Sequence, residues 1–281
     1  MGLREGSSQS RQPTADTMAP LALWTLLAWV GLCRAFHLDR AGRVGRAPFA
    51  LRPLCASTTD TNNDALAKTC ATMFAISAPL GTSLDNYHGL FGVLSYENNG
   101  LPLTYQLEWA GQVVLKSALW VPAVFGGAGV VMSLMVVLLD QAWSTEQIKR
   151  LPSWPKTLYS ISFFSFQYYL SGLLDNLHVE SALIHAALAG IALIGYKVFD
   201  DSKAGLVLAI ATAAAGPVAE ILLINWPHLY HYTHADIWGI CSWIPWVYFL
   251  GAPAVGNLAR NVYDGYSLQA QMQEASERTS E

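Results

Sequence analysis

Two long apolar runs separated by a short charged turn constrain this chain more than any other feature. Ala182 to Val198 and Leu206 to Ile224 carry few charges, while Phe199-Asp200-Asp201-Ser202-Lys203-Ala204-Gly205 between them holds the most closely packed charges in the second half of the sequence. A run of about 20 apolar residues is long enough to cross the hydrocarbon of a bilayer as a helix. In lipid the backbone must satisfy its own hydrogen bonds, so such a run has little choice but to be helical. The seven residues then form a tight turn at a membrane surface. Composition agrees: the 281 residues are 53% apolar and only 13% charged, against about 25% charged in an average soluble domain. The length suits one bundle. A formal charge of -4 argues against a nucleic-acid partner.

The amino-terminal region reads as an address. Met1 to Thr17 is polar, and Pro20 to Cys33 is an apolar core too short to span comfortably, followed by Arg34-Ala35 and Phe36. That is the pattern of a secretory signal, with Met18 as an alternative start. Between Phe36 and Ser57, Arg40, Arg43, Arg46 and Arg52 face a single acid, Asp39, which is transit-peptide composition. The combination resembles the bipartite presequence of algae with plastids of red secondary origin; a signal anchor with a basic linker is the plainer alternative. Residues 1–60 are therefore assigned to a presequence, 61–262 to a six-span membrane domain and 263–281 to a polar tail.

The fold class expected is all-α, a polytopic bundle of six transmembrane helices. The spans fall at Thr69–Leu84, within Gln106–Leu139, and at Leu158–Leu174, Ser181–Phe199, Ala204–Ile224 and Ile237–Leu258. Basic residues test the count. Lys68, Lys149, Arg150, Lys156, Lys197, Lys203, Arg260 and Arg278 fall on one side, whereas the opposite loops (97–108, 175–180 and 225–236) have none. Lys116, at the entry to the second span, is the exception. This asymmetry places both ends and the 199–205 turn on the cytosolic (or stromal) side.

Ionisable residues near or within spans are functional candidates. Leu84-Asp85-Asn86-Tyr87-His88 and Leu174-Asp175-Asn176-Leu177-His178 repeat one pattern at the ends of two odd-numbered spans. An Asp and a His three apart share a helix face and can pair, either as a polar cap or around a ligand headgroup or proton. Glu220, three residues after Pro217, is the deepest acid, and His185 sits in the fourth span. His228, His231 and His234 stand three apart, but the interleaved Tyr230 and Tyr232 favour an interfacial belt over a metal site, so no metal is expected. Cys33, Cys55, Cys70 and Cys241 form no CxxC pair. No histidine boxes, GxSxG, P-loop or credible GxGxxG are present, and no catalytic residue is assigned.

Four pieces, in order, resemble the insulin-induced gene (Insig) family of sterol-responsive membrane proteins. They are Ser117-Ala118-Leu119-Trp120-Val121-Pro122 with a small-residue helix ending at Asp140, then Leu174-Asp175-Asn176, then the 199–205 turn. The last is Leu229 to Thr233 with Ser242-Trp243-Ile244-Pro245 and Gly256-Asn257-Leu258-Ala259-Arg260. Together they cover roughly Ser117 to Val262. The turn is similar to the family's Phe-Asp-Arg-Ser-Arg-Ser-Gly. The resemblance implies a six-helix bundle with cytosolic ends, no enzymatic activity, an oxysterol bound within the bundle, and retention of sterol-regulated partners in the endoplasmic reticulum. Asp200 matches the hinge aspartate that the family needs for partner binding. Asp201 and Lys203 replace two family arginines, His231 and His234 stand where the animal proteins have no histidine, and the presequence has no counterpart there.

The expectation is thus a sterol- or lipid-responsive adapter in the endoplasmic reticulum membrane, with a plastid membrane as the alternative. Its partners would be the bilayer, a sterol or other lipid, and other polytopic membrane proteins, with no cofactor. Partner binding falls to Asp200 and Lys203. The ligand falls to Trp120, Pro122, Gly126, Trp243 and Pro245, with His185 and Glu220 supplying polarity. The rival is a small-molecule or proton-coupled carrier using Asp85, His88, Asp175 and His178; a passive plastid membrane subunit is a third reading.

Overall fold

The structure, a computed structural model, describes residues 59–98, 103–143 and 151–280. Nearly all of the 1–60 presequence, with Cys33 and Cys55, lies outside these residues, as do Lys149 and Arg150. Six long helices make up most of what is described: α1 Thr59–Phe91, α2 Val121–Ala142, α3 Trp154–Asn176, α4 Ser181–Phe199, α5 Lys203–Asn225 and α6 Ile244–Ser280. By length and composition three of them, α2, α4 and α5, are apolar enough to cross a membrane. The large apolar side chains they leave exposed, among them Val131, Leu138, Leu193, Ile194, Ile210 and Leu222, suit a lipid surface better than water.

The all-α expectation needs one correction. Four short strands lie between the helices: β1 Leu94–Tyr96, β2 Thr104–Trp109, β3 Gln112–Ala118 and β4 Tyr230–Tyr232. β2 and β3 form an antiparallel hairpin, and β1 pairs antiparallel with β4 across about half of the chain. The hairpin occupies the first half of the region expected to be the second span. Ala110 and Gly111 both take positive φ (50° and 76°), the geometry of a two-residue hairpin turn. Val113 and Val114 favour the extended backbone that follows. Helix α2 starts only at Val121, where Pro122 fits the first turn because its missing N–H would be unbonded there anyway. Asn86 fastens the hairpin to α1: its amide donates to the Val114 carbonyl (2.9 Å) and its carbonyl accepts from the Lys116 N–H (2.7 Å).

The other boundaries shift less. Helix α1 begins before Thr69 and runs through Pro79 to Phe91. The sixth helix starts at Ile244 rather than Ile237, and it continues through the 263–280 stretch read as a tail. Ser153 and Ser202 accept from Lys156 N–H and Gly205 N–H to cap α3 and α5. Helix α6 is central, touching α1, α2, α3, α4 and α5. Helices α1 and α2 approach closely because Gly126 packs on Phe74 and Gly129 on Ser77; a Cβ at either glycine would collide with those side chains.

Candidate ligand cavity and hinge cluster

A cavity of about 190 Å³ lies between α1, α2, α3, α5 and α6. Its deeper wall is apolar, with Leu80, Phe125, Met132, Phe164 and Val255 among its side chains. Its two carboxyl groups and the tyrosine hydroxyls that bond them gather at one end, where α1 and α5 finish and α2 begins; Ser77 and Thr212 line it from mid-helix. Asp85 accepts a hydrogen bond from the Tyr96 hydroxyl. Glu220 accepts from Tyr232 (2.7 Å) and Tyr248 (2.6 Å), one hydroxyl on each carboxylate oxygen. Trp120, Tyr96 and Tyr230 form one aromatic wall, their ring centroids 5.8–6.4 Å apart. The β1–β4 pairing positions this wall, since it places Tyr96 beside Tyr230 in register. Burial pushes the Tyr96 hydroxyl pKa well up, with the Asp85 charge adding to it. Burial, then Glu220, does the same to Tyr230 and Tyr232. All three hydroxyls are thereby held protonated, as donors.

Two of the seven expected ligand residues, Trp120 and Glu220, line this cavity, and so does Asp85. The other five sit elsewhere. Pro122 starts α2 and Gly126 packs on Phe74. Trp243 is buried edge-on against His88, and Pro245 is the second residue of α6. His185 belongs to a polar relay: Trp246 Nε1 donates to His185 Nδ1 (3.2 Å), and His185 Nε2 lies 2.9 Å from Ser242 Oγ, which donates to Asp236. Trp120 was expected from the sequence, but Tyr96, Tyr168, Tyr230, Tyr232 and Tyr248 were missed. Of these only Tyr230 and Tyr232 had a signal, as part of the 229–233 motif.

The two Asp–His repeats do not pair internally. Asp85 bonds Tyr96, while His88 is fully buried with its Nε2 2.9 Å from Ser171 Oγ. Asp175 accepts from His234 Nδ1 (2.9 Å), and His178 meets the His234 ring at 5.1 Å. His178 takes a positive φ of 53° just past the α3 terminus, so it has left the helical path that a three-residue spacing assumes. What the repeats share is the asparagine: Asn176 donates to the Phe91 carbonyl (2.8 Å), as Asn86 ties down the hairpin. Among the described residues no His, Cys, Asp and Glu cluster has the arrangement of a metal site; His231 Nδ1 instead donates to Glu97 (2.7 Å).

At the opposite end lies a second cluster. Arg260 donates from Nε and Nη2 to both Asp140 oxygens (2.6 and 3.0 Å) and from Nη1 to Asp200 Oδ2 (2.8 Å). Asp200 also accepts from the Ser202 N–H (3.2 Å) and hydroxyl. Asn257 donates to the Phe199 carbonyl (2.9 Å) and accepts from Arg260. The cluster joins the end of α2, the α4–α5 turn and the middle of α6. Although burial works against the Arg260 charge, its Asp140 hydrogen bonds and the two carboxylates outweigh that and push its pKa up. Asp200 faces inward, its side chain 3% exposed, whereas Asp201 and Lys203 face outward.

The geometry matches known proteins. The chain is 30% identical over 154 residues to insulin-induced gene 1 protein of Danio rerio. It is 31% identical over 156 residues to that of Xenopus laevis and 31% over 154 residues to that of Homo sapiens. These matches take in 54–55% of the chain. The chain is similar to insulin-induced gene proteins over about half of its length. It spans between 53% and 60% of the length of these curated relatives. The fold of this Insig-like chain is similar to the crystal structure of the mycobacterial Insig homolog MvINS from Mycobacterium vanbaalenii. That match has a TM-score of 0.55 and 18% identity, and it covers 68% of the chain and 92% of MvINS. A cross-linked trimer of MvINS superimposes similarly (TM-score 0.56, 69% and 93%). No protein-family model matches the chain.

Proposed function

We propose that this Insig-like chain is a six-span, non-enzymatic adapter of the endoplasmic reticulum membrane. A sterol or other lipid occupies the cavity, and the 199–205 turn reports occupancy to partner membrane proteins. The observation that carries the reading is the cavity itself. Its depth is largely apolar and its carboxyl groups gather at one end, which is the arrangement that buries a hydrophobic ligand and fixes its head. Ligand that favours one packing of α2, α5 and α6 over another would bias the turn by differential affinity, the minimum a sensor requires. The turn is well placed for this, because Arg260 on α6 bridges Asp140 on α2 to Asp200 in the turn. Asp200 then acts by shaping the turn, and the exposed Asp201 and Lys203 present the docking surface. The domain division follows the same reading: presequence 1–60, membrane domain 61–262, and a polar carboxyl-terminal segment 263–281.

Mass spectrometry of lipids retained by the full-length protein purified in mild detergent tests the reading. About one lipid or sterol per chain is expected; finding none removes it. A carboxyl-terminal fluorescent tag should give a reticular pattern, and the curated relatives lend no support to the plastid alternative. The carrier reading requires Asp85–His88 and Asp175–His178 relays, whereas the side chains of these residues bond to Tyr96, Ser171 and His234 instead of to each other.

A further inference from the structure

We propose that the cavity selects a single-chain lipid amine, its ammonium held between Asp85 and Glu220 against the aromatic wall of Trp120, Tyr96 and Tyr230. This rests on the reading above that the cavity binds lipid, and it names the class. Both carboxylates line one apolar cavity, and no Lys, Arg or His lines it with them. Buried Asp and Glu in a membrane bundle ordinarily pair with a cation or coordinate one. The protein supplies hydroxyl donors: Tyr96 and Tyr168 to Asp85, and Tyr232, Tyr248 and Tyr230 to Glu220. A hydroxyl satisfies a lone pair without cancelling a charge. A protonated amine offers three donors and the missing positive charge. The adjoining rings add an attraction that a neutral head does not receive, because ring faces draw ammonium groups. Trp120 Nε1 is buried without a hydrogen-bond partner, so a hydroxyl or carbonyl beside the amine would find a donor there. Size points the same way. At about 190 Å³ the cavity is below the roughly 300–1,000 Å³ of sites that enclose a whole small molecule. It suits a head and the first part of one flexible chain better than a rigid four-ring sterol.

The test uses the full chain in neutral-lipid nanodiscs, with thermal unfolding read for four probes: a C18 primary amine, the matched C18 alcohol, cholesterol and a diacylglycerol. The amine should stabilise the protein at a concentration at least ten-fold lower than the alcohol. Glu220→Gln and Asp85→Asn, each isosteric, should each lower the ratio of amine to alcohol response several-fold; if one variant does not fold, the other carries the test. Equal response to amine and alcohol in the unmodified protein, or a preference that survives in the folded variants, overturns the proposal. Stabilisation by cholesterol or diacylglycerol but not by the amine overturns it while leaving the lipid-adapter reading intact. No response to any probe removes both.

Discussion

The cluster around Arg260 allows a graded prediction, because its three charged members differ sharply in exposure. The Arg260 side chain is 12% exposed and Asp200 3%, but Asp140 is 39% exposed. Arg260→Met keeps the volume and removes the charge, leaving the buried Asp200 carboxylate without its guanidinium partner. Breaking a buried pair from one side costs about 3–5 kcal/mol, most of it the stranded partner charge. Asp200→Asn removes a charge that Arg260 can replace by its bidentate contact to Asp140, and its amide oxygen still accepts from Ser202. The loss there is a charged hydrogen bond, about 1–3 kcal/mol. Asp140→Asn should cost at most about 1 kcal/mol, since an acid more than a third exposed is screened by solvent. The damage should also be local. Detergent-titration unfolding gives the order, and hydrogen exchange of the amides of 199–206 should show opening of the turn in the first two variants. Combining Arg260→Met with Asp200→Asn should be less harmful than the sum of the two, by about 1–3 kcal/mol, because neither charge is then stranded. A double variant as costly as the sum, or Asp140→Asn as harmful as Arg260→Met, would refute the reasoning.

Further outcomes follow from the same contacts. Gly205→Ala places a Cβ against the Asp200 carboxylate and should destabilise by about 1–3 kcal/mol, opening the same 199–206 amides as Asp200→Asn; protection unchanged from the unmodified protein would contradict the packing. Asn86→Ala removes both bonds to the hairpin and should raise hydrogen exchange at the Lys116 amide while leaving α3 and α4 protected. Asp175→Asn removes a carboxylate charge that is 7% exposed but keeps an oxygen that accepts from His234, so stability should fall by about 1–3 kcal/mol at most; proton flux that depends on Asp175 in proteoliposomes would revive the carrier reading. The raised pKa values of Tyr96, Tyr230 and Tyr232 fix a sign for alkaline unfolding. Above the ordinary tyrosine value of about 10 the unfolded chain releases protons that the folded chain keeps, so stability is full below that pH and falls above it. Tyrosinate absorbance should therefore rise in step with unfolding, and ionisation of every tyrosine before unfolding would count against these burials.

Helices α4 and α5 were legible in the sequence almost to the residue, because an uninterrupted apolar run in lipid leaves the backbone one solution. The 104–118 hairpin was not, since a stretch holding Leu107, Trp109, Val113, Val114 and Leu115 is apolar enough to be absorbed into a neighbouring span. The Ala110–Gly111 turn was the overlooked signal. Side-chain roles were harder still. Asp85 and His88 sit three apart, and helical spacing makes them neighbours; tertiary contacts send one to Tyr96 and the other to Ser171. No local rule foresees a partner supplied by a strand or by another helix.

The hinge shows most clearly what motif spacing conceals. Asp140 and Arg260 end two separate motifs and Asp200 lies within a third, and of these three only Asp200 was given a role. In the fold they are one unit, bonded through a single guanidinium. An aspartate whose carboxylate points inward cannot itself be the surface that a partner touches. It holds Ser202 at the cap of α5, and the cap sets where Asp201 and Lys203 emerge. Substituting Asp200 and substituting Lys203 should therefore give different defects. Asp200→Ala should weaken partner recovery together with protection of the turn, whereas Lys203→Ala should weaken recovery with the turn intact. Cross-linking of partners to the full-length protein, paired with hydrogen exchange of each variant, separates the two. Loss of partner cross-links in Asp200→Ala with undiminished protection of 199–206 would mean that the aspartate is read directly, and that the inward geometry does not describe the docked state.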